Sequence, residues 1–212
     1  MYKRLQYISQ GNSIDEQLQN IREALEHGCQ WIQLRFKKAT SEDSMTLAKA
    51  VKILCQEYSA TFIINDNVPL ALEIDADGVH LGLKDMKIAN AREILGKDKI
   101  IGGTANTLED IKKQINQGAD YIGLGPFRFT KTKENLSPIL GLEGYQNILD
   151  QLKLQGIETP VYAIGGIQFE DVSAIIQTGV YGIAVSGLIT QSDHKNELIT
   201  ALNEKLYESV II

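Results

Sequence analysis

Short apolar runs recur along the chain, and each is followed by polar or glycine-rich residues and then by a helical pattern. Several of these runs are continuously apolar rather than alternating, which is typical of parallel strands that helices cover. We predict eight strands from them: Leu5–Ile8, Trp31–Leu34, Phe62–Ile64, Gly78–Leu81, Ile100–Gly103, Tyr121–Leu124, Val161–Ile164 and Gly182–Val185.

The segments between these runs carry apolar residues at the three- and four-residue spacing of amphipathic helices. The first such stripe is Ile14, Leu18, Ile21 and Leu25. Ser13 precedes it and Thr107 precedes a later one, and both are residue types that cap helix N-termini. Glycines, which favour helix C-termini, close several segments: Gly28, Gly96, Gly118, Gly156 and Gly179.

Strands that alternate with helices in this way form either a closed barrel or an open, doubly wound sheet. Eight units within 212 residues favour closure, because eight strand–helix units make the common parallel barrel. The chain shows no linker, low-complexity tract or step in composition. We therefore predict an α/β fold, a compact single-domain (β/α)8 TIM barrel over residues 1–212, with the open sheet as the alternative.

Charge and cysteine content restrict the partners of such a domain. The formal net charge is −6 and the pI is near 5.2, whereas a generic nucleic-acid binder is usually basic. No apolar run approaches the roughly 20 residues of a membrane span, and the N-terminus lacks a signal-peptide core. Two isolated cysteines, Cys29 and Cys55, form no disulfide framework. We expect a cytoplasmic protein without nucleic-acid or membrane partners, and a homo-oligomer is compatible with this pattern.

The chemistry of such barrels lies on the loops that follow the C-terminal ends of the strands. After the second strand, the side chains of Gln33, Arg35 and Lys37 alternate with apolar ones and should share one face. Long polar groups that point into a barrel mouth need a partner, and pyrophosphate would be a suitable one. A solvated basic rim is the alternative.

Two carboxylates follow neighbouring strands and should meet at the same edge of the mouth. Asp66 follows the third strand and Asp85 the fourth. Mg²⁺ is usually held by one or two carboxylates together with substrate phosphate oxygens, so the pair suggests a magnesium site. The run Asn65–Asn67 is also ordinary turn chemistry, which leaves a structural role open.

Three further strand ends, those of the sixth, seventh and eighth strands, predict phosphate binding. The long loop 125–141 contains basic residues and threonines, which suggests a lid over phosphate, with a mobile solvated loop as the alternative. Paired glycines after the seventh strand, Gly165 and Gly166, and the Ser186-Gly187 pair after the eighth allow backbone amides to approach an anion. Loops seven and eight are the common phosphate site of such barrels. Two anion sites in one mouth indicate group transfer between phosphorylated small molecules.

Six segments in matching order resemble the thiamine phosphate synthase family over nearly the whole chain. They are Gln33–Lys37, Phe62–Asp66, Ala76–Gly82 followed by Asp85, Gly118–Pro126, Thr130–Lys133 and Ala163–Ile167. The resemblance implies a Mg²⁺-dependent transferase of the type EC 2.5.1.3. Such an enzyme joins 4-amino-5-hydroxymethyl-2-methylpyrimidine diphosphate to a thiazole phosphate by a dissociative substitution that releases pyrophosphate.

The resemblance also implies roles for individual residues. Contacts to the pyrimidine diphosphate would come from Gln33, Arg35, Lys37, Asn65 and Lys133, and of these Arg35, Lys37 and Lys133 would be catalytic. The Mg²⁺ ligands would be Asp66 and Asp85. The thiazole phosphate would be bound by Thr130, Thr132, Gly166, Ser186 and Gly187.

Departures from the family pattern occur after the fifth strand and at two other positions. Thr104 keeps the hydroxyl of the usual serine, so a substrate contact survives there, whereas Asn106 replaces a histidine. Leu83 stands where a glutamine is common, and Ser186 lies one place earlier than the usual serine. His80 falls within the fourth strand, where we expect a buried, hydrogen-bonded residue rather than an acid–base catalyst.

Three other functions remain open at this point. A thiazole tautomerase on the same barrel would not need the two carboxylates or the lid. A catalytically silent paralogue that binds thiamine intermediates would tolerate the changes at Leu83 and Asn106. A sugar-phosphate isomerase or epimerase would instead need carboxylates or histidines around a central sugar.

Overall fold

Eight parallel strands form a closed barrel in sequence order, in a computed structural model that describes residues 2–37, 39–129 and 138–208. The last strand pairs with the first, with Tyr7 opposite Val185, so the open sheet is excluded. The strands are β1 Leu5–Ile8, β2 Trp31–Leu34, β3 Thr61–Asn65, β4 Gly78–Leu81, β5 Ile100–Ala105, β6 Tyr121–Leu124, β7 Val161–Ile164 and β8 Gly182–Val185.

All eight predicted strands are confirmed, and two of them are longer than predicted. The strand β3 includes Asn65, and β5 continues through Thr104 to Ala105. Because these extensions contain polar side chains, an apolar run does not reveal them. Their consequence is that Asn65 and Thr104 are held by the barrel itself instead of by a loop.

Helices follow the strands on the outside of the barrel. They are α1 Ile14–Glu26, α2 Ser41–Glu57, α3 Val68–Glu73, α4 Ile88–Leu95, α5 Leu108–Asn116, α6 Gly141–Leu154, α7 Val172–Gln177, α8 Gly187–Thr190 and α9 Lys195–Glu208. Both predicted N-caps are confirmed, since the hydroxyl of Ser13 accepts the Glu16 N–H and that of Thr107 accepts the Asp110 N–H.

The interior of the barrel is filled by aromatic side chains at its N-terminal end. Trp31 packs edge-to-face against Tyr121 and Tyr162, with ring centroids 5.0 and 5.2 Å apart. All three side chains are completely buried. This plug leaves the opposite end, where the strands terminate, as the accessible mouth of the barrel. Across the described ranges, no helix is long and apolar enough to span a membrane.

Candidate active site

A cavity of about 730 Å³ occupies the mouth at the C-terminal ends of the strands. Four of the predicted site residues line it together: Arg35, Gly166, Ser186 and Gly187. Because they follow β2, β7 and β8, only closure of the barrel brings them to one place. The cavity is large enough for a small organic ligand.

Gln33 and Asn65 meet across the β2–β3 pair. The Gln33 amide Nε2 donates a hydrogen bond of 2.7 Å to Oδ1 of Asn65. Gln33 is buried and Asn65 is half-buried, so the pair is a rigid polar floor beneath the charged edge of the mouth. Because the Asn65 oxygen accepts this bond, the side-chain NH₂ of Asn65 is the group that can donate to a phosphate oxygen or a ring nitrogen.

Asp66 is the centre of the charged edge. Its carboxylate Oδ2 lies 3.1 Å from Nζ of Lys37. Burial lowers the pKa of the Arg35 guanidinium, and the negative charge of Asp66 partly opposes that shift. Asp66 has a φ of +64°, in the left-handed region, and its N–H donates to the His80 carbonyl. A non-glycine residue in this region is strained, and such strain concentrates at functional sites.

The strict alternation predicted from Gln33 to Lys37 ends with the strand. Since β2 stops at Leu34, Phe36 and Lys37 both line a second cavity, of about 370 Å³, which Asp66 also borders. Lys37 therefore reaches the charged edge from outside the barrel, through its ion pair. Its side chain is 55% exposed, so the ammonium is accessible from the solvent.

The two predicted metal ligands adjoin each other. Asp85 lies on the exposed rim and its Oδ2 accepts the Gly82 N–H at 2.6 Å. Partial burial of its carboxyl raises the pKa of Asp85, and the hydrogen-bonded carboxyl of Asp66 raises it further. Two oxygen donors in contact suit a hard cation such as Mg²⁺. Within the described ranges, histidine, cysteine and carboxylate side chains form no larger group that could hold a metal ion.

The glycine pair after β7 forms a turn that a side chain would disrupt. Gly166 has a φ of +70°, and a Cβ there would lie 3.0 Å from Cβ of Arg128. The Arg128 N–H donates to the Gly165 carbonyl, and its guanidinium Nη1 donates to the Gly166 carbonyl at 2.9 Å. Both carbonyls of the turn therefore accept hydrogen bonds from Arg128, and both glycines line the cavity.

Ser186 contributes to the site through its backbone. Its hydroxyl donates a hydrogen bond of 2.6 Å to the Ile8 carbonyl, which commits that proton to the β1 strand. The adjacent Gly187 begins α8, and the first N–H groups of a helix have no partner within the helix. Ser186 and Gly187 line the same cavity as Gly166.

Arg128 and Asp171 are site-lining and supporting residues that the sequence patterns did not single out. The Arg128 guanidinium binds the Asp171 carboxylate through two hydrogen bonds of 2.8 Å. Asp171 also accepts the Gln168 N–H at 2.8 Å, and Gln168 lines the large cavity. The two residues are 43 positions apart, so no local pattern in the sequence predicts their contact. The basic character of the segment after β6 was the one feature that pointed to Arg128.

The predicted role of His80 as a buried, hydrogen-bonded residue is confirmed. Its Nδ1 lies 3.0 Å from the Tyr121 hydroxyl and its Nε2 lies 3.1 Å from the Thr104 hydroxyl. Asn106, which replaces the family's histidine, donates a side-chain hydrogen bond to the Gly125 carbonyl at the start of the loop after β6. It therefore has a structural partner that needs no imidazole.

Three predicted contacts, Thr130, Thr132 and Lys133, lie outside the described residues. Their roles, and that of the lid they belong to, stay predictions.

The fold and its mouth define the class of the protein: it is a (β/α)8-barrel enzyme whose charged site lies at the C-terminal ends of the strands. The family model for thiamine monophosphate synthase matches residues 5–189. The thiamine-phosphate synthase of Flavobacterium johnsoniae is 62% identical over 212 residues, which cover the whole of both chains. That of Flavobacterium psychrophilum is 65% identical over 206 residues, which are 97% of this chain and 100% of the relative.

A solved structure leads to the same family. The thiamine phosphate pyrophosphorylase from Pyrococcus furiosus superposes with a TM-score of 0.85 at 33% identity, over 99% of this chain and 97% of that one. The chain therefore belongs to the thiamine monophosphate synthase family, and it is a transferase of that type.

Proposed function

We propose that this enzyme couples 4-amino-5-hydroxymethyl-2-methylpyrimidine diphosphate with thiazole phosphate to give thiamine phosphate and pyrophosphate. One observation carries the proposal: a guanidinium, an ammonium and two adjoining carboxylates converge at one edge of the mouth, around Asp66. Such a cluster is suited to a multiply charged anion bound with a divalent cation.

Mg²⁺ fits the donor set at this edge. Asp66 and Asp85 would hold the ion, because their adjoining carboxyls repel one another without a cation and offer oxygen ligands only. When bound, the ion would neutralise charge on the diphosphate. Asn65 and Gln33 would orient the pyrimidine beside it, since their paired amides stand on the strands that carry the charged edge.

The charged side chains would act on the departing pyrophosphate. Arg35, Lys37 and Lys133 would stabilise its negative charge as the carbon–oxygen bond breaks and the bonding electrons leave with the diphosphate. The amino group of the pyrimidine donates electron density to the methylene cation that remains. The thiazole nitrogen then supplies the electron pair of the new carbon–nitrogen bond. Positioning and charge stabilisation are sufficient for this sequence of steps.

The thiazole phosphate would lie on the opposite side of the mouth. Gly166, Ser186 and Gly187 line the 730 Å³ cavity and present backbone amides, the usual phosphate donors of this barrel class. Thr130 and Thr132 would complete the contacts from the loop after β6. Thr104 would donate to the pyrimidine diphosphate from the end of β5.

A cytoplasmic location is part of the proposal. Cys29 and Cys55 are both buried as free thiols, an arrangement that is ordinary in a reducing compartment. Burial raises the pKa of Cys29 to about 11, so its thiol stays protonated and unreactive at neutral pH.

The deciding experiment is product formation from the two substrates, with Mg²⁺ and with a chelator. We expect thiamine phosphate and pyrophosphate in equal amounts, and only when the metal is present. Aromatisation of a thiazole phosphate without coupling would instead establish a tautomerase. Binding of thiazole phosphate without turnover would establish a silent paralogue, and either result would overturn the proposal.

A further inference from the structure

A continuous chain of polar side chains crosses the aromatic interior of the barrel. The Gln6 amide Nε2 donates to the Tyr121 hydroxyl at 3.2 Å, and that hydroxyl lies 3.0 Å from Nδ1 of His80. Nε2 of His80 then lies 3.1 Å from the hydroxyl of Thr104. The first three residues are 6% exposed or less, whereas Thr104 is half-buried near the end of β5. The chain thus leads from the core to the mouth.

The hydrogen bonds between these side chains have one favourable donor-to-acceptor direction. The NH₂ group of Gln6 can only donate, so the Tyr121 oxygen accepts from it. The single proton of the Tyr121 hydroxyl then has the His80 Nδ1 as its acceptor. If Nδ1 carried the proton, the hydroxyl proton of Tyr121 would be unpaired beside Trp31 and Tyr162. A buried donor without a partner is unfavourable in free energy, because it has lost its hydrogen bond to water and gained none in return.

The assignment of donors and acceptors can be continued from His80 to the mouth of the barrel. With Nδ1 as acceptor, a neutral His80 carries its proton on Nε2 and donates it to the Thr104 oxygen. Because the Thr104 oxygen is then the acceptor, the hydroxyl proton of Thr104 is not used in the hydrogen bond with His80. Because Thr104 stands one residue before the C-terminal end of β5, that proton can point into the mouth.

We propose that Gln6 and Tyr121 are positioning residues that hold His80 in its Nε2–H tautomer and so make Thr104 a hydrogen-bond donor toward the substrate. The acceptor is a lone pair of the pyrimidine diphosphate, and in this respect the inference rests on the proposed function. Tyr121 acts through two intervening side chains and touches no substrate.

The packing around His80 supports a fixed ring orientation. A Cβ at Gly123 would lie 3.1 Å from Cε1 of His80, so the imidazole packs closely against the backbone of β6, the strand beyond β5. The ring also lies against Tyr121, with centroids 5.4 Å apart. These two contacts with β6, together with the hydrogen bonds of both ring nitrogens, hold the ring in one orientation.

The first test measures the tautomer and needs no substrate. In ¹⁵N NMR spectra of the ligand-free protein at neutral pH, the His80→Gln variant identifies the His80 signals among the three histidines. We expect an unprotonated Nδ1 and a protonated Nε2 in the wild type, and loss of this preference in Tyr121→Phe. An Nδ1–H tautomer or an imidazolium in the wild type would overturn the proposal, whatever the enzyme catalyses.

The second test compares two tyrosines of the same cluster. Tyr162→Phe is the matched control, because the hydroxyl of Tyr162 donates to the Lys3 carbonyl and takes no part in the hydrogen bonds from Gln6 to Thr104. We expect Tyr121→Phe to lower kcat/KM for the pyrimidine diphosphate about tenfold, the equivalent of roughly 1.4 kcal/mol, and Tyr162→Phe to leave it unchanged. Equal losses in both variants would show a purely structural role for Tyr121.

Coupling to Thr104 completes the test. Thr104→Ser, which retains a hydroxyl, should lose less kcat/KM than Thr104→Val, and Thr104→Val should lose about as much as Tyr121→Phe. Since both substitutions remove the same donor, the double variant should be no worse than Thr104→Val alone. Fully additive losses would contradict the inference. Failure of the wild type to form thiamine phosphate would overturn the proposed function. The NMR measurement of the His80 tautomer would still test the hydrogen-bonded side chains independently of that result.

Discussion

The guanidinium of Arg128 and the carboxylate of Asp171 are joined by two hydrogen bonds of 2.8 Å, which tie the segment after β6 to the turn after β7. Because Arg128 also holds the carbonyls of Gly165 and Gly166, this ion pair supports the glycine turn from behind. A two-pronged arginine contact of this kind fixes geometry as well as charge.

Arg128→Lys should therefore weaken binding of the thiazole phosphate. The single ammonium of a lysine cannot reproduce the planar pair of hydrogen bonds to Asp171 together with the bond to the Gly166 carbonyl. We therefore expect the KM for thiazole phosphate to rise about tenfold, as loss of a charged hydrogen bond of about 1.5–3 kcal/mol implies, with a smaller change in kcat. Steady-state kinetics with each substrate varied in turn measure this. Arg92→Lys is the control, because its pair with Asp120 lies at the N-terminal end of β6.

Gly166→Ala should also weaken binding of the thiazole phosphate. The new Cβ would lie 3.0 Å from Arg128 at a backbone φ of +70°, which combines strain with a close contact. Gly156→Ala is the matched control, since its φ is +65° and no atom stands within 4 Å of the new Cβ. Both variants should lose at least about 1 kcal/mol of stability, and Gly166→Ala should lose more because of its contact with Arg128. Only Gly166→Ala should raise the KM for thiazole phosphate. A normal KM there would remove Gly166 from the site.

Arg35→Ala should lose at least about 100-fold in kcat, the usual scale for removal of a group that stabilises developing charge. Its fold should persist, because burial already lowers the pKa of this guanidinium and its removal relieves a desolvation cost. Turnover assays and thermal unfolding of the same preparation separate the two effects. Near-normal turnover would contradict a role for Arg35 in catalysis.

Asp66→Asn should shift the Mg²⁺ dependence of activity. We expect about tenfold more metal for half-maximal rate, because one of two carboxylate ligands is lost. Asp75→Asn is the control, since Asp75 also pairs with lysines, Lys52 and Lys99, but precedes β4 at the other end of the barrel. An unchanged metal titration in Asp66→Asn would remove Asp66 from the metal site.

Asp85→Asn should stabilise the metal-free protein at neutral pH. The folded-state pKa of Asp85 is raised above 3.8 by partial burial and by Asp66. The charged form is therefore disfavoured on folding, and stability falls as the pH rises from about 3.8 through the raised pKa. The gain should stay below about 1 kcal/mol, because the carboxyl is largely exposed, which corresponds to at most about 4 °C in Tm.

Two comparisons test whether the gain in stability of Asp85→Asn comes from the raised pKa of Asp85. It should vanish near pH 3, where Asp85 is protonated in both states, and Mg²⁺ should raise the Tm of the wild type more than that of Asp85→Asn. Thermal unfolding across pH, with and without the metal, provides both. A variant that is less stable than the wild type at pH 7 without metal would contradict the raised pKa.

The sequence alone determined the order of strands and helices. Apolar runs such as Tyr121–Leu124 and caps such as Ser13 depend on residues within one turn or one strand, so local composition is sufficient to reveal them. The acidic and basic residue types at the strand ends likewise pointed to an anion site, because barrel topology places every strand end at one mouth.

Only the tertiary structure decided which of these side chains meet. The pairing of Arg128 with Asp171, the approach of Lys37 to Asp66 from outside the barrel, and the path from Tyr121 through His80 join residues on different strand–helix units. Their distances are set by closure of the barrel and by the packing of its interior. A periodic pattern along one segment carries no information about such contacts, because it depends only on neighbours in the chain.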